Sequence, residues 1–112
     1  MVKVEVKQNE QGMIIGYKVS GHAGYAEEGE DIICSAISAL TQAPLMGLER
    51  HLKLKPAYTV DQKAGILEVA LNSAPNDLTE AILRTMLLGV ASIANQCPKY
   101  VRIKNIGGES NV

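Results

Sequence analysis

His22 and Cys34 stand near the two ends of the stretch Gly21-His22-Ala23-Gly24-Tyr25-Ala26-Glu27-Glu28-Gly29-Glu30-Asp31-Ile32-Ile33-Cys34. An imidazole within hydrogen-bond reach of a thiol can take its proton, and the resulting thiolate attacks a carbonyl carbon. The protonated imidazole can then hand that proton to a departing amine. The chemistry expected of the pair is acyl transfer, with Cys34 as nucleophile and His22 as general base. The connection between them is long enough to fold back and bring the two side chains together.

Asp31 precedes an apolar-periodic run and is read as the N-cap of a helix, which would place Cys34 at the third helical position. Unpaired amides and the helix dipole there would favour a thiolate, and the same amides could hold the oxyanion formed on attack. Asp31 could instead orient His22, and the two roles weigh equally. Ser38, four residues after Cys34, shares its helix face and either contacts the site or bonds back along the helix. Glu27, Glu28 and Glu30, with Asp31, would oppose thiol ionisation and help His22 hold a proton, or would form a solvated loop.

Each residue also has a plainer role. Cys34 could be a small core residue beside Ile33 and Ile37, and His22 a histidine bonded to backbone at a strand end. His22, Cys34 and the carboxylates together mix hard oxygens with a soft sulfur and match no zinc or calcium pattern, so neither a metal nor a cofactor is expected. Cys97, just before Pro98, reads as a packed thiol, and His51 lies in a solvated basic stretch with Arg50, Lys53 and Lys55. Arg102 and Lys104 share a strand face with Tyr100; edge protection is favoured over a basic docking surface.

The elements that must position the pair are legible as periodicities. Val2, Val4 and Val6 alternate with charged residues, and Met13, Ile15, Tyr17 and Val19 repeat the alternation after Asn9 to Gly12, predicting a hairpin with one buried face. Tyr58, Val60, Leu67, Val69 and Leu71 predict a second hairpin. Between them, Ile33, Ile37 and Leu40 mark a helix from Asp31 to about Leu52, kinked at Pro44. Leu78, Ile82, Met86, Val90 and Ile93 mark another, ended by Pro98. Tyr100 to Ile106 makes a final strand. The expectation is an α+β fold in the order ββαββαβ, with a mostly antiparallel sheet packed with two helices. One domain spans residues 1–106, followed by a flexible tail, 107–112.

At 112 residues and 46% apolar composition the chain can bury one core, and a net charge of -1 argues against nucleic acid as a partner. Two cysteines make neither a disulfide framework nor a zinc pattern, which fits a cytoplasmic compartment. No basic leader and no continuous 18-residue apolar segment is read, so no membrane role is expected.

Gly21-His22-Ala23 and Gly29-Glu30-Asp31-Ile32-Ile33-Cys34-Ser35-Ala36-Ile37-Ser38-Ala39-Leu40 resemble the signature of the Prp family of bacterial ribosomal-processing cysteine proteases, and the likeness covers nearly the whole chain. The resemblance implies removal of an N-terminal extension from a large-subunit ribosomal protein, with His22 and Cys34 as the catalytic pair. Asp31 and Ser38 match positions the family retains; Ser35 stands where alanine is more usual. It further implies a homodimer, and a pocket that admits an aromatic ring beneath a loop made mobile by Gly21, Gly24 and Gly29. Two rival readings are a non-catalytic ribosome-assembly module and a thiol redox sensor.

Overall fold

The computed structural model describes residues 1–21 and 28–107, with backbone only for 28–31. Its elements are β1 (Val2–Gln8), β2 (Ile14–Ser20), α1 (Glu28–Met46), β3 (Ala57–Asp61), β4 (Ile66–Ala70), α2 (Asp77–Gln96) and β5 (Val101–Gly107). The expected order is therefore present. The strands form a single sheet in the order β3-β4-β2-β1-β5, antiparallel throughout except where β1 lies parallel to β5. The final strand includes Gly107, one residue beyond its expected end.

Alternation gives the sheet two unlike faces. Val2, Val4, Val6, Tyr17, Val19, Leu67, Val69 and Val101 point to one side and bury against Ile37 and Leu48 of the first helical segment and Leu83, Met86 and Val90 of α2. Three differences from the expected core have local causes. Lys7 pairs with Gly16 but Gln8 pairs with Ile14, so Ile15 is an extra residue in β2 and Ile14, not Ile15, turns inward. Tyr58 and Val60 sit on the core side yet are 52% and 54% exposed, because β3 is an edge strand beyond the helices' cover. The buried stripe of α2 begins on Thr79 and Leu83, leaving Leu78 62% exposed.

The bulge is held from outside the sheet. The Ile14 amide donates to Glu80 Oε1 at 2.6 Å, and Arg84 Nη2 donates to the Gly12 carbonyl at 2.9 Å and to Glu80 Oε2 at 3.1 Å. One ion pair on α2 thus fixes the β1–β2 turn. The start of α2 is set by a capping box: Asn76 Oδ1 accepts from the Leu78 and Thr79 amides at 2.9 and 3.0 Å, and the Asn76 amide donates to Thr79 Oγ1 at 2.9 Å.

Helix α1 differs most from expectation at its start. It begins at Glu28, so Asp31 lies inside its first turn and does not cap it, and Glu28, Gly29 and Glu30 are helical, not loop residues. At its other end α1 runs through Pro44 and then widens into a π turn, Gly47–His51, where the Leu52 amide donates to the Gly47 carbonyl at 3.0 Å. The stretch Ile32–His51 is long and apolar enough to cross a membrane by length and composition, contrary to the expectation of no such segment. Its sheet-facing side, Ile37, Thr41, Pro44 and Leu48, is buried, and 22% of the stretch is buried in all.

Tyr17 ties α1 to the sheet. Its hydroxyl donates to the Thr41 carbonyl at 2.6 Å, and Thr41 Oγ1 donates to the Ile37 carbonyl at 2.8 Å, both buried. Pro44 has no N–H to offer the Leu40 carbonyl four residues back, the carbonyl next to the one that takes the phenol. Burial raises the Tyr17 pKa well above its ordinary value of 10.0. Tyr17→Phe should cost about 0.5–1.5 kcal/mol in urea unfolding, since it removes a buried hydrogen bond whose acceptor carbonyl stays within the helix. Because the folded pKa is raised, the neutral phenol's contribution is complete below the unfolded pKa of about 10 and is lost as pH rises beyond it. Wild-type stability should therefore fall toward that of Tyr17→Phe in alkaline solution; parallel pH profiles would dismiss this role.

Candidate active site

Cys34 occupies the second turn of α1. It lies three residues before Ile37, on the same stripe that continues through Thr41, Pro44 and Leu48 into the core. Cys34 is the position where that stripe emerges, so it is half-buried, packed against the core beside Ile33, while Ile32 is 72% exposed and Ser35 is exposed. The plain reading of a core contact and the functional reading of an accessible thiol thus meet at one boundary position. Cys34 is not in a disulfide, and neither is Cys97.

Gly21 sets where the other half of the pair leaves the sheet. Its φ is +88°, and a Cβ there would collide with the Met1 carbonyl oxygen, so only glycine fits beside the start of β1. Its place in the signature thus has a steric cause, a left-handed turn that ends β2 directly before His22, where mobility was expected. His22, Gly24 and Glu27 lie outside the described residues.

Ser38 bonds along its own helix: its Oγ accepts from Gln42 Nε2 at 2.7 Å, and its carbonyl accepts from Thr41 Oγ1 at 3.3 Å. The Oγ contact runs forward to Gln42, not back to an earlier carbonyl. Asp31 and Glu30 stand one turn before Cys34 on the α1 backbone.

The early start of α1 changes the electrostatics. The unpaired amides of a helix are those of its first turn, here including Glu28, Gly29 and Glu30, and the dipole's influence fades within that turn. The Cys34 amide belongs to the helical hydrogen-bond ladder and is not available to an oxyanion. The expected third helical position is therefore corrected: Cys34 lies one turn in from the helix end.

Residues 1–102 match the family model described as cysteine protease Prp. The chain belongs to the Prp cysteine protease family. Two relatives carry the name ribosomal processing cysteine protease Prp. The one from Staphylococcus aureus is 25% identical over 103 residues, covering 92% of this chain and 97% of its own. The one from Bacillus subtilis is 28% identical over 107 residues, covering 92% and 96%. Among solved structures, an essential ribosomal processing protease Prp from Staphylococcus aureus in complex with a substrate peptide has a TM-score of 0.89 at 24% identity, covering 95% of this chain and 100% of that one. A Streptococcus mutans structure has a TM-score of 0.86 at 23% identity, covering 96% and 95%. The Prp fold is thus this mixed five-stranded sheet with two helices, and this Prp family member is a cysteine protease acting on peptide bonds.

Proposed function

We propose that this Prp protease removes the N-terminal extension of a large-subunit ribosomal protein, with Cys34 as nucleophile and His22 as general base. The observation that carries the assignment is the place of Cys34, where the inward stripe of α1 emerges from the core. Cys97 caps α2, its amide donating to the Ile93 carbonyl at 2.8 Å and its carbonyl accepting from the Tyr100 amide at 2.9 Å in the turn to β5. Its place is explained by that turn. The ribosomal substrate is supported by the names of the two relatives, and the N-terminal extension by the signature around His22 and Cys34.

In this reading His22 takes the Cys34 proton and Sγ attacks the scissile carbonyl carbon, leaving a tetrahedral oxyanion. As the C–N bond breaks, His22 gives its proton to the leaving amine and a thioester remains. Water, losing a proton to His22, attacks that thioester, releases the new carboxylate and restores the thiol. Asp31 supports the pair from the first turn of α1, and Gly24 lies in the segment that joins β2 to that helix. The direct test incubates the chain with an N-terminally extended ribosomal protein and reads the product by intact mass spectrometry; no shortened species means the assignment is wrong.

The enzyme acts in the cytoplasm as a homodimer. The dimer is supported by the outer face of the helices, uncharged from Ile32 to Leu48 on the first helical segment and from Thr85 to Gln96 on α2. Between them runs a groove of about 530 Å³ lined by Ala39, Ala43, Gly47, Ala81 and Thr85. Beside it Leu88 is 66% and Met46 44% exposed. Small residues facing protruding ones on one surface suit an isologous contact. Leu88→Glu should halve the mass in sedimentation equilibrium, whereas an unchanged mass would remove this face from the interface.

A further inference from the structure

The uncovered face of the sheet is not evenly charged. Across its middle, β4 Glu68 pairs with β2 Lys18, Lys18 with β1 Glu5, and Glu5 with β5 Lys104, an alternating row of opposite signs. Such neighbours stabilise a sheet. The adjoining row breaks the rule: Lys3 on β1 pairs with Arg102 on β5, two like charges side by side, and its other neighbour is Ser20. Among the described residues neither Lys3, Arg102 nor Lys104 has a carboxylate within 4.0 Å. Together with Glu5 and Ser20 they line a hollow of about 390 Å³.

Two plainer causes do not account for this row. Edge protection explains Arg102 and Lys104, because β5 is an edge strand, but not Lys3, which lies on an interior strand. A need for solubility explains charge on an open face, but not an excess of one sign in a chain whose net charge is -1. That average conceals an uneven distribution: Glu27, Glu28, Glu30 and Asp31 cluster in sequence before Cys34, while Lys3, Lys7, Lys18, Arg102 and Lys104, five of the eleven Lys and Arg, stand on the open sheet face beside Glu5 and Glu68.

We infer that this row and its hollow are a docking surface for the phosphodiester backbone of RNA. A phosphate seated there relieves the Lys3–Arg102 repulsion, and Arg102 can grip it through two parallel N–H donors. The neighbouring Lys104 and Ser20 extend the contact along and across the strands. The choice of RNA among polyanions rests on the ribosomal-processing reading, since RNA surrounds a ribosomal protein in its working site. The surface holds the protease against the particle and leaves peptide-bond chemistry to the other side of the sheet.

The test is fluorescence anisotropy of a fluorescein-labelled RNA hairpin titrated with the full chain across a salt series. Wild type should bind more weakly as salt rises. The triple variant Lys3→Gln, Arg102→Gln, Lys104→Gln should bind about ten-fold more weakly at low salt, its log–log slope shallower by about 0.7–0.9 for each phosphate it no longer neutralises. A control triple at Arg50→Gln, Lys53→Gln and Lys63→Gln, away from this row, should behave as wild type. Equal weakening in the two triples, no salt-dependent binding by wild type, or equal binding of polyglutamate would overturn the inference. Cleavage of a short extended peptide without RNA separates the two claims. If the peptide is cut but the hairpin does not bind, only this inference fails; if the hairpin binds through Lys3 and Arg102 while no peptide is cut, the protease assignment fails alone.

Discussion

Cys34→Ala should leave an N-terminally extended ribosomal protein uncut, a loss of roughly six orders of magnitude in kcat, the scale seen when a covalent nucleophile is removed from a protease. The expected effect is chemical and not structural. Cys34 is half-buried at the edge of the core, so exchanging its sulfur for hydrogen leaves Ile37, Thr41 and Leu48 to hold α1 beneath the sheet. Circular dichroism and urea unfolding should therefore stay near wild type while intact mass spectrometry shows only uncut substrate. Cys97→Ala should cut at the parent rate, because that thiol belongs to the turn between α2 and β5. Complete processing by purified Cys34→Ala would sink the assignment.

His22→Ala should cost about 10²- to 10⁴-fold in kcat/KM, the range for a positioned general base. With α1 starting at Glu28, Cys34 is too far inside the helix for the dipole to be its main activator. Labelling of the thiol reads this directly. In the parent chain alkylation of Cys34 should already be fast well below pH 8, whereas in His22→Ala it should rise only near the ordinary thiol pKa of about 8.5. Running both in Cys97→Ala assigns the label to one sulfur. Identical pH profiles would remove His22 as activator, whatever its effect on turnover.

The parts of this fold that follow from short-range periodicity were legible in the sequence. Val2, Val4 and Val6 announced β1, and the polar segments before Met13 and after Val60 announced two hairpins. What remained hidden depends on contacts between distant residues. Ile14 turns inward only because a bulge frees its amide for Glu80, sixty-six positions away, and nothing in the alternation marks that exchange. Tyr58 and Val60 have the right period for a core strand but fall on an edge, and strand order is not a property of either strand alone. Of the site, residue types and the signature were readable, while the helix start was not. Asp31 has the chemistry of a cap, but three residues before it are already helical, and that shift moved the unpaired amides away from Cys34. The imbalance of the open sheet face was equally invisible, because Lys3 and Arg102 become neighbours only through the parallel pairing of β1 with β5.

That same pairing governs how the enzyme comes into being. Val2 lies against Val101, so an interior strand of the sheet is synthesised before the other strands and its edge neighbour after them. At translation rates of about 5–20 residues per second, β1 waits on the order of 5–20 s with one side open. Such high contact order also slows folding toward the millisecond-to-second range. A nascent copy carries Cys34 and the segment bearing His22 long before its sheet can close, and proteolytic activity should arrive only when β5 docks.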